Sequence, residues 1–426
     1  MLSRNDNELL TRVGPGTPMG NLMREYWTPL MHSVDLPERD GPPVRVRILC
    51  ENLIAFRDSS GNVGLMANAC PHRGASMFFG RNEEDGLRCV YHGWKFDVSG
   101  QCTDMPNEPA ESNFRHKIRL QSYPCREVNG IIWTYMGSRP TPPPFPEHGF
   151  GMVDEAHRGQ LKYVRECNWM QALEGDIDTA HLGFLHVSFS PRQPGPTRTG
   201  PIPDFTSDKA PTLHVVNTDI GVMYGARRNR AEGDYYWRVS QFLMPIYTSI
   251  PGFGGRQSCK IWVPIDDENT LVWEPNWSMR APLTPDQLKG WINRVPPSGF
   301  LPDTTDWNGR FRFVAREAND FHLDRERQRT VNFTGFEESN PIQDGGIQVT
   351  MGHIFDRTKE HMGTTDATII QVRKRLLEAA KALRDEGITP PGVDMPELYH
   401  LHGCEMNLPE GANWTEACKD MIAEMA

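Results

Sequence analysis

Cys70-Pro-His-Arg-Gly74 and, with sixteen residues between His72 and Cys89, Cys89-Val-Tyr-His-Gly93 are the stretches that identify the fold. Each offers one thiolate and one imidazole, as C-x-H and then C-x-x-H. Two sulfurs and two nitrogens complete a four-coordinate set, and zinc accepts such a set on softness alone. Structural zinc sites usually group like ligands, whereas here each loop supplies one of each kind. That mixture also suits a two-iron cluster in which one iron takes both cysteines and the other both histidines. The surroundings are β-structure. Val44-Arg-Val-Arg-Ile48 alternates strictly, Leu53–Phe56 follows, and Ser59-Ser-Gly-Asn62 reads as a hairpin turn into Val63–Met66. Trp94–Val98, the Ser99-Gly100 turn and Gly130–Tyr135 continue the style, giving a small antiparallel domain over residues 36–145.

Residues 1–35 read as a helical segment, with Pro15 and Pro18 ahead of a helix over Met19–Trp27. The run Arg139-Pro-Thr-Pro-Pro-Pro-Phe-Pro146 is a stiff connector that closes the β domain. Residues 150–426 mix element types: a helix over Trp169–His186, sheet over Tyr235–Pro251 and Ser258–Pro264, and a strand Thr270–Glu274 stopped by Pro275. Thr365–Gly387 carries Ile369, Val372, Leu376, Ala380 and Leu383 as one apolar stripe, the core face of a helix. The fold class expected is α+β, an all-β domain followed by a larger mixed one.

A net charge of -10 argues against nucleic acid or an anionic membrane as partner. The start Met-Leu-Ser-Arg-Asn-Asp lacks a signal-peptide core, and no 18-residue apolar window occurs, so a cytoplasmic location is expected. Nine cysteines in such a chain do not make a disulfide framework.

His181 and His186 stand five apart, so a regular helix would set them about 140° apart around its axis. They converge on one ion only where the helix ends or distorts, which Gly183 permits. Alone, two histidines among apolar neighbours read as core residues; beside a redox cluster they read as two ligands of a 2-His-1-carboxylate ferrous site. Cys70-Pro-His-Arg-Gly-Ala and Cys89-Val-Tyr-His-Gly-Trp-Lys-Phe-Asp resemble the Rieske signature of aromatic-ring oxygenases. Asp178-x-x-His181-x-x-x-x-His186 is similar to the mononuclear-iron motif of the Rieske non-haem iron oxygenases. The opening Leu9-Leu-Thr-Arg-Val-Gly-Pro-Gly-Thr-Pro-Met-Gly20 resembles that of the phthalate-dioxygenase group.

This resemblance implies a Rieske [2Fe-2S] cluster on Cys70, His72, Cys89 and His92, and a catalytic domain of helix-flanked antiparallel sheet over residues 150–426. It implies mononuclear Fe(II) on His181, His186 and a later carboxylate. Asp344, in Pro341-Ile-Gln-Asp-Gly-Gly, fits best; Asp356 and Asp366 are rivals, the latter also a candidate helix cap. Asp178 is implied to link His181 to the partner subunit's His92 in a trimer or stacked-trimer hexamer, beside the plainer role of orienting His181.

The implied chemistry is O2 activation fed by single electrons. The chain carries neither a G-x-G-x-x-G fingerprint nor a C-x₄-C-x₂-C ferredoxin run, so a separate NAD(P)H-dependent flavin/[2Fe-2S] reductase is the expected partner. Arg73, Arg81, Arg88 and Lys95 either dock it or form a solvated face. The expected substrate is an aromatic carboxylate undergoing cis-dihydroxylation, with O-demethylation of a methoxylated acid or aryl ether as the alternative. Arg227, Arg228, Arg230 and Arg238 could recognise the acid, and Trp237, Phe242 and Tyr247 could wall the ring; each also reads as structural. A Rieske protein that only carried electrons would not need His181, His186 and Asp344.

Overall fold

The computed structural model describes all residues except 110, 190–207, 253–255, 286–294 and 424–426. Two short helices open the chain. α1 (Arg4–Thr11) is capped by Ser3, and α2 (Pro18–Arg24) by Thr17 with proline in the first turn. The expected helix over Met19–Trp27 ends early, because the chain turns at Glu25 and Trp27–His32 becomes strand β1. β1 pairs with the strand Ile131–Tyr135, so residues 1–35 are helical only in part.

The expected β domain consists of three small sheets. β2 (Val44–Ile48), β3 (Glu51–Arg57) and β4 (Val63–Ala67) form a meander whose turn is tied by Asn62 N–H donating to Asp58 Oδ1 at 2.7 Å. β5 (Arg81–Glu83), β6 (Gly86–Arg88), β7 (Lys95–Phe96) and β8 (Cys102–Asp104) form the second; the expected strand over Trp94–Val98 shrinks to β7. β9 (Cys125–Val128) and β10 (Ile131–Tyr135) complete the third with β1.

The larger unit is built on an eight-stranded antiparallel sheet. Its strands are β11 (Arg158–Arg165), β12 (Thr212–Asn217), β13 (Gly221–Asn229), β14 (Tyr235–Leu243), β15 (Tyr247–Ile250), β16 (Gln257–Pro264), β17 (Thr270–Trp277) and β18 (Cys404–Leu408), in the order β11-β17-β16-β15-β14-β13-β12, with β18 also on β14. β17 corrects the expectation that Pro275 ends a strand. It runs on to Trp277, with Pro275 opposite Gln160 on β11, while its ladder with β16 skips from Trp273 to Asn276. The missing proline N–H falls where pairing is already interrupted.

Around this sheet lie α3 (Trp169–Ile177), α4 (Arg325–Thr330), α5 (Asn340–Val349), α6 (Ala367–Glu386) and α7 (Trp414–Ala423). α6 is the striped helix; Val372, Leu376 and Ala380 are buried, Ile369 and Leu383 partly so, and Gly387 stops it at φ +67°.

One apolar core spans both units, joining Tyr26, Trp27 and Trp133 to Tyr247, Trp262 and Trp273. A second, separate core of Ile54, Phe56, Met66, Met77, Leu87, Trp94 and Phe96 surrounds Cys70 and Cys89. Asp35 accepts from Lys162 Nζ at 2.7 Å and from Arg310 at 2.6 Å, a polar clamp between the units. No described helix is long and apolar enough to cross a membrane.

Candidate metal centres

The two Cys–His loops are folded alike. Cys70 N–H donates to Ala75 O and Gly74 N–H to Cys70 O, both at 2.8 Å. In the second loop Cys89 N–H donates to Trp94 O at 2.8 Å and Gly93 N–H to Cys89 O at 2.9 Å. Gly74 and Gly93 close these turns at φ +76° and +79°, where a side chain would be strained. The loops place the His72 and His92 ring centroids 4.5 Å apart, with Trp94 stacked on His72 at 4.4 Å. Both cysteines are buried, and their sulfurs lie within hydrogen-bonding reach of each other. Burial first, and then the neighbouring Cys89, push the Cys70 thiol up to about 11, against the amides of His72 and Arg73. His92 Nδ1 is buried without a partner. Adjoining buried sulfurs, paired imidazoles and an orphaned ring nitrogen fit a [2Fe-2S] group bridging the loops.

The second centre forms where α3 ends. The expected helix over Trp169–His186 stops at Ile177, before either histidine. Asp178 leaves the helical conformation and accepts from Ala180 N–H at 2.7 Å, and a tight turn over His181–Gly183 follows. The break is made by Asp178, not by Gly183. It brings His181 Nε2 to 3.3 Å from His186 Nε2. Asp344, on α5, places Oδ1 3.1 Å from His186 Nε2 and 3.7 Å from His181 Nε2. Among the described residues this is the one cluster of three His, Cys, Asp or Glu side chains whose ligand atoms could share an ion. Two imidazole nitrogens and one carboxylate oxygen within reach of one ion suit ferrous iron with open positions. Asp356 instead binds Thr358 and Lys359, and Asp366 accepts from Gly363 N–H.

α3 and α5 meet because small residues let them. A Cβ on Gly175 would run into the Gln348 amide of α5, and one on Gly346 would run into Phe336 of the segment that leads into α5. Gln348 itself accepts from Arg165 at 2.8 Å, and its carbonyl from Gln171 at 3.0 Å. α3 is also anchored from below, where buried Glu174 takes both Arg357, at 2.9 Å, and Arg373, at 2.6 Å.

Charge in the triad is polarised. Burial opposes ionisation of Asp344, but His186, His181 and Lys260 outweigh it and hold the carboxyl well below the usual range. For His181, burial disfavours the cation, while Asp178, Asp344 and Asp176 overcome it and raise the pKa. Asp178 Oδ2 lies 3.5 Å from His181 Nδ1, and His186 Nδ1 lies 2.7 Å from Gln343 Oε1.

Residues 26–124 match the Rieske [2Fe-2S] domain family, and residues 134–418, two thirds of the chain, match the family described as LigXa C-terminal domain like. The chain belongs to the Rieske non-haem iron oxygenases, as an oxygenase component. It is 39% identical to the 3-chlorobenzoate-3,4-dioxygenase oxygenase subunit of Comamonas testosteroni over 99% of both chains. It is 37% identical to the phthalate 4,5-dioxygenase oxygenase subunit of Pseudomonas putida, over 90% of this chain and 87% of that one. It is 32% identical to the 5,5'-dehydrodivanillate O-demethylase oxygenase subunit of Sphingobium sp., over 88% and 80%. Like other Rieske oxygenases it uses a [2Fe-2S] cluster and mononuclear iron.

The arginines and aromatics that also read as structural make structural contacts in this oxygenase. Arg228 donates to Thr179 O, Arg230 pairs with Asp234 and Arg238 with Glu405, while Arg227 lies over Tyr235. Trp237 stacks on Trp414, and Phe242 and Tyr247 belong to the main core. Near the cluster, Arg88 is held by Glu83 and Asp104 and Lys95 by Glu84. Arg81 pairs with Glu83, and Arg73 lies over Tyr91. Gly175, Gln343 and Gln348 escaped the sequence reading. Of these only Gly175 carried a signal, since a glycine inside a helix costs about 1 kcal/mol and marks a close approach.

Proposed function

We propose that this chain is the terminal oxygenase of a system that hydroxylates an aromatic carboxylate with O2 and electrons originating in NAD(P)H. Cys70, His72, Cys89 and His92 hold the cluster, and His181, His186 and Asp344 hold Fe(II). The observation that carries the reading is the convergence of these three ligands at the end of α3, in a chain that also carries the paired cluster loops. A [2Fe-2S] group there supplies single electrons, and ferrous iron with open positions supplies O2 activation. The acid substrate is supported by two relatives whose names specify chlorobenzoate and phthalate.

The chain's own residues shape that chemistry. Asp178 holds its carboxylate beside His181 Nδ1, so the proton stays on that nitrogen and Nε2 faces the triad. Exposed Val90 and Tyr91 flank His92, while exposed Phe184 and Phe189 flank the triad. These exposed apolar side chains support a head-to-tail ring, a trimer or stacked trimers, in which Asp178 meets the partner subunit's His92. A separate flavin/[2Fe-2S] reductase delivers the electrons. The test is product analysis with such a reductase, NADH and a panel of benzoates, phthalates and methoxybenzoates. A cis-dihydrodiol or its phenolic descendant supports the reading; NADH consumption without any oxygenated acid sinks it. O-demethylation is the second reading, favoured by the third relative, and formaldehyde released from a methoxybenzoate marks it.

A further inference from the structure

The two histidines of the triad are backed by different groups. His181 Nδ1 faces the Asp178 carboxylate at 3.5 Å, whereas His186 Nδ1 meets the Gln343 amide oxygen at 2.7 Å. Asp178 is a quarter exposed and Gln343 is buried. An imidazole that offers one nitrogen to a metal carries its proton on the other, and the acceptor of that proton fixes tautomer, ring plane and donor strength. With Nδ1–H donated to Gln343, the lone pair of His186 Nε2 points to where His181 Nε2 and Asp344 Oδ1 converge.

The backbone of Gln343 is fixed in α5. Its N–H donates to Ser339 O at 2.9 Å, and the far end of α5 is locked by Gln348 to Arg165 and Gln171. Adjacent residues of one helix thus deliver a ligand, Asp344, and the support of another ligand, His186.

We propose that Gln343 is a positioning residue for the mononuclear iron, holding His186 as the Nε2 donor through its amide oxygen. The inference rests on the reading of His181, His186 and Asp344 as the iron ligands. Because an amide is neutral, it orients the ring without adding a second anion beside Asp344. His186 is then a weaker donor than carboxylate-backed His181, and the two nitrogens facing the iron are unequal.

The experiment uses the cluster-loaded protein, stripped of mononuclear iron by chelation and reloaded with ⁵⁷Fe(II), so that Mössbauer spectroscopy reports that site alone. Gln343→Met keeps the length and removes the acceptor, and Gln343→Glu restores an acceptor that is charged. Gln343→Met should bind iron about 10–100-fold more weakly, with an altered quadrupole splitting and an unchanged cluster spectrum. Gln343→Glu should recover most of the affinity, but with a splitting displaced from wild type by the stronger donor. Wild-type affinity and splitting in Gln343→Met overturn the proposal. Equal weakening in both variants also overturns it, since packing of α5 would then be the cause. Should Gln343→Met fail to assemble, an unshifted splitting in Gln343→Glu overturns it alone. Asp344→Ala serves as the control: if it keeps tight iron, the ligand reading falls. If it loses iron while Gln343→Met does not, only the role of Gln343 falls.

Discussion

The cluster loops and the histidine–carboxylate site differ in where their geometry is encoded. In the loops everything is local. Each cysteine, its histidine and the closing glycine lie within five residues, and the same pair of backbone hydrogen bonds shapes both turns. In the second site Asp344 reaches His181 and His186 across the packing of α5 on α3, which is close at Gly175. Local motifs show in spacing. Sites assembled by packing show only as scattered candidates, and their supports are invisible until the chain is folded.

The largest effect of a single substitution belongs to the local site. Cys70→Ala should abolish the cluster's red-brown colour and all turnover, while iron analysis still finds the mononuclear ion. Loss of both metals would mean that the regions are one folding unit. Asp344→Ala should do the reverse, keeping the cluster spectrum while losing iron and turnover. Asp356→Ala should stay active, because its carboxylate is spent on Thr358 and Lys359.

Linking the regions across a subunit boundary gives an intermediate effect. Co-expressed Cys70→Ala and His181→Ala chains should recover about a quarter of wild-type activity, the share of random interfaces with an intact cluster facing an intact iron site. Mixed rings shown by tagged co-purification to be inactive would reject transfer between subunits and leave Asp178 its role beside His181.

Packing comes next. Gly175→Ala should cost about 1–3 kcal/mol in chemical denaturation and weaken iron binding with it, since the new methyl displaces Gln348. The smallest effect is acid sensitivity. His148, buried between Trp133 and Phe150, has its pKa lowered from 6.5 to about 3 by burial. Its folded pKa lies below the unfolded one, so its contribution is complete above pH 6.5 and is lost as pH falls toward 3. At pH 5 that loss is about 2 kcal/mol relative to pH 7.5, and His148→Phe should shrink the pH dependence of the urea midpoint by this amount.

Much of this was legible in the sequence, for physical reasons that differ by residue. The meander from Val44 to Met66 was plain because alternation and a Gly-Asn turn are short-range signals. α6 was plain because its stripe repeats at the helical period. The helix expected over Trp169–His186 overruns its true end because an aspartate does not by itself signal a break; in the fold the Asp178 carboxylate accepts from Ala180 N–H and α3 stops at Ile177. Pro275 reads as a stop because sequence does not show that the ladder between β16 and β17 already skips at that point. Gln343 was missed because a glutamine beside an aspartate carries no periodicity at all.

The separation of the two cores has a bearing on repair. An iron–sulfur group working beside O2 is exposed to oxidative loss, and here Cys70 and Cys89, its proposed ligands, sit in an island of Ile54, Phe56, Trp94 and Phe96 that shares no buried residue with the core beneath His181, His186 and Asp344. A damaged cluster can therefore be lost and rebuilt within its own lobe while the large sheet stays folded. Cluster-free protein should keep its thermal transition for the catalytic unit, ready for reconstitution rather than replacement.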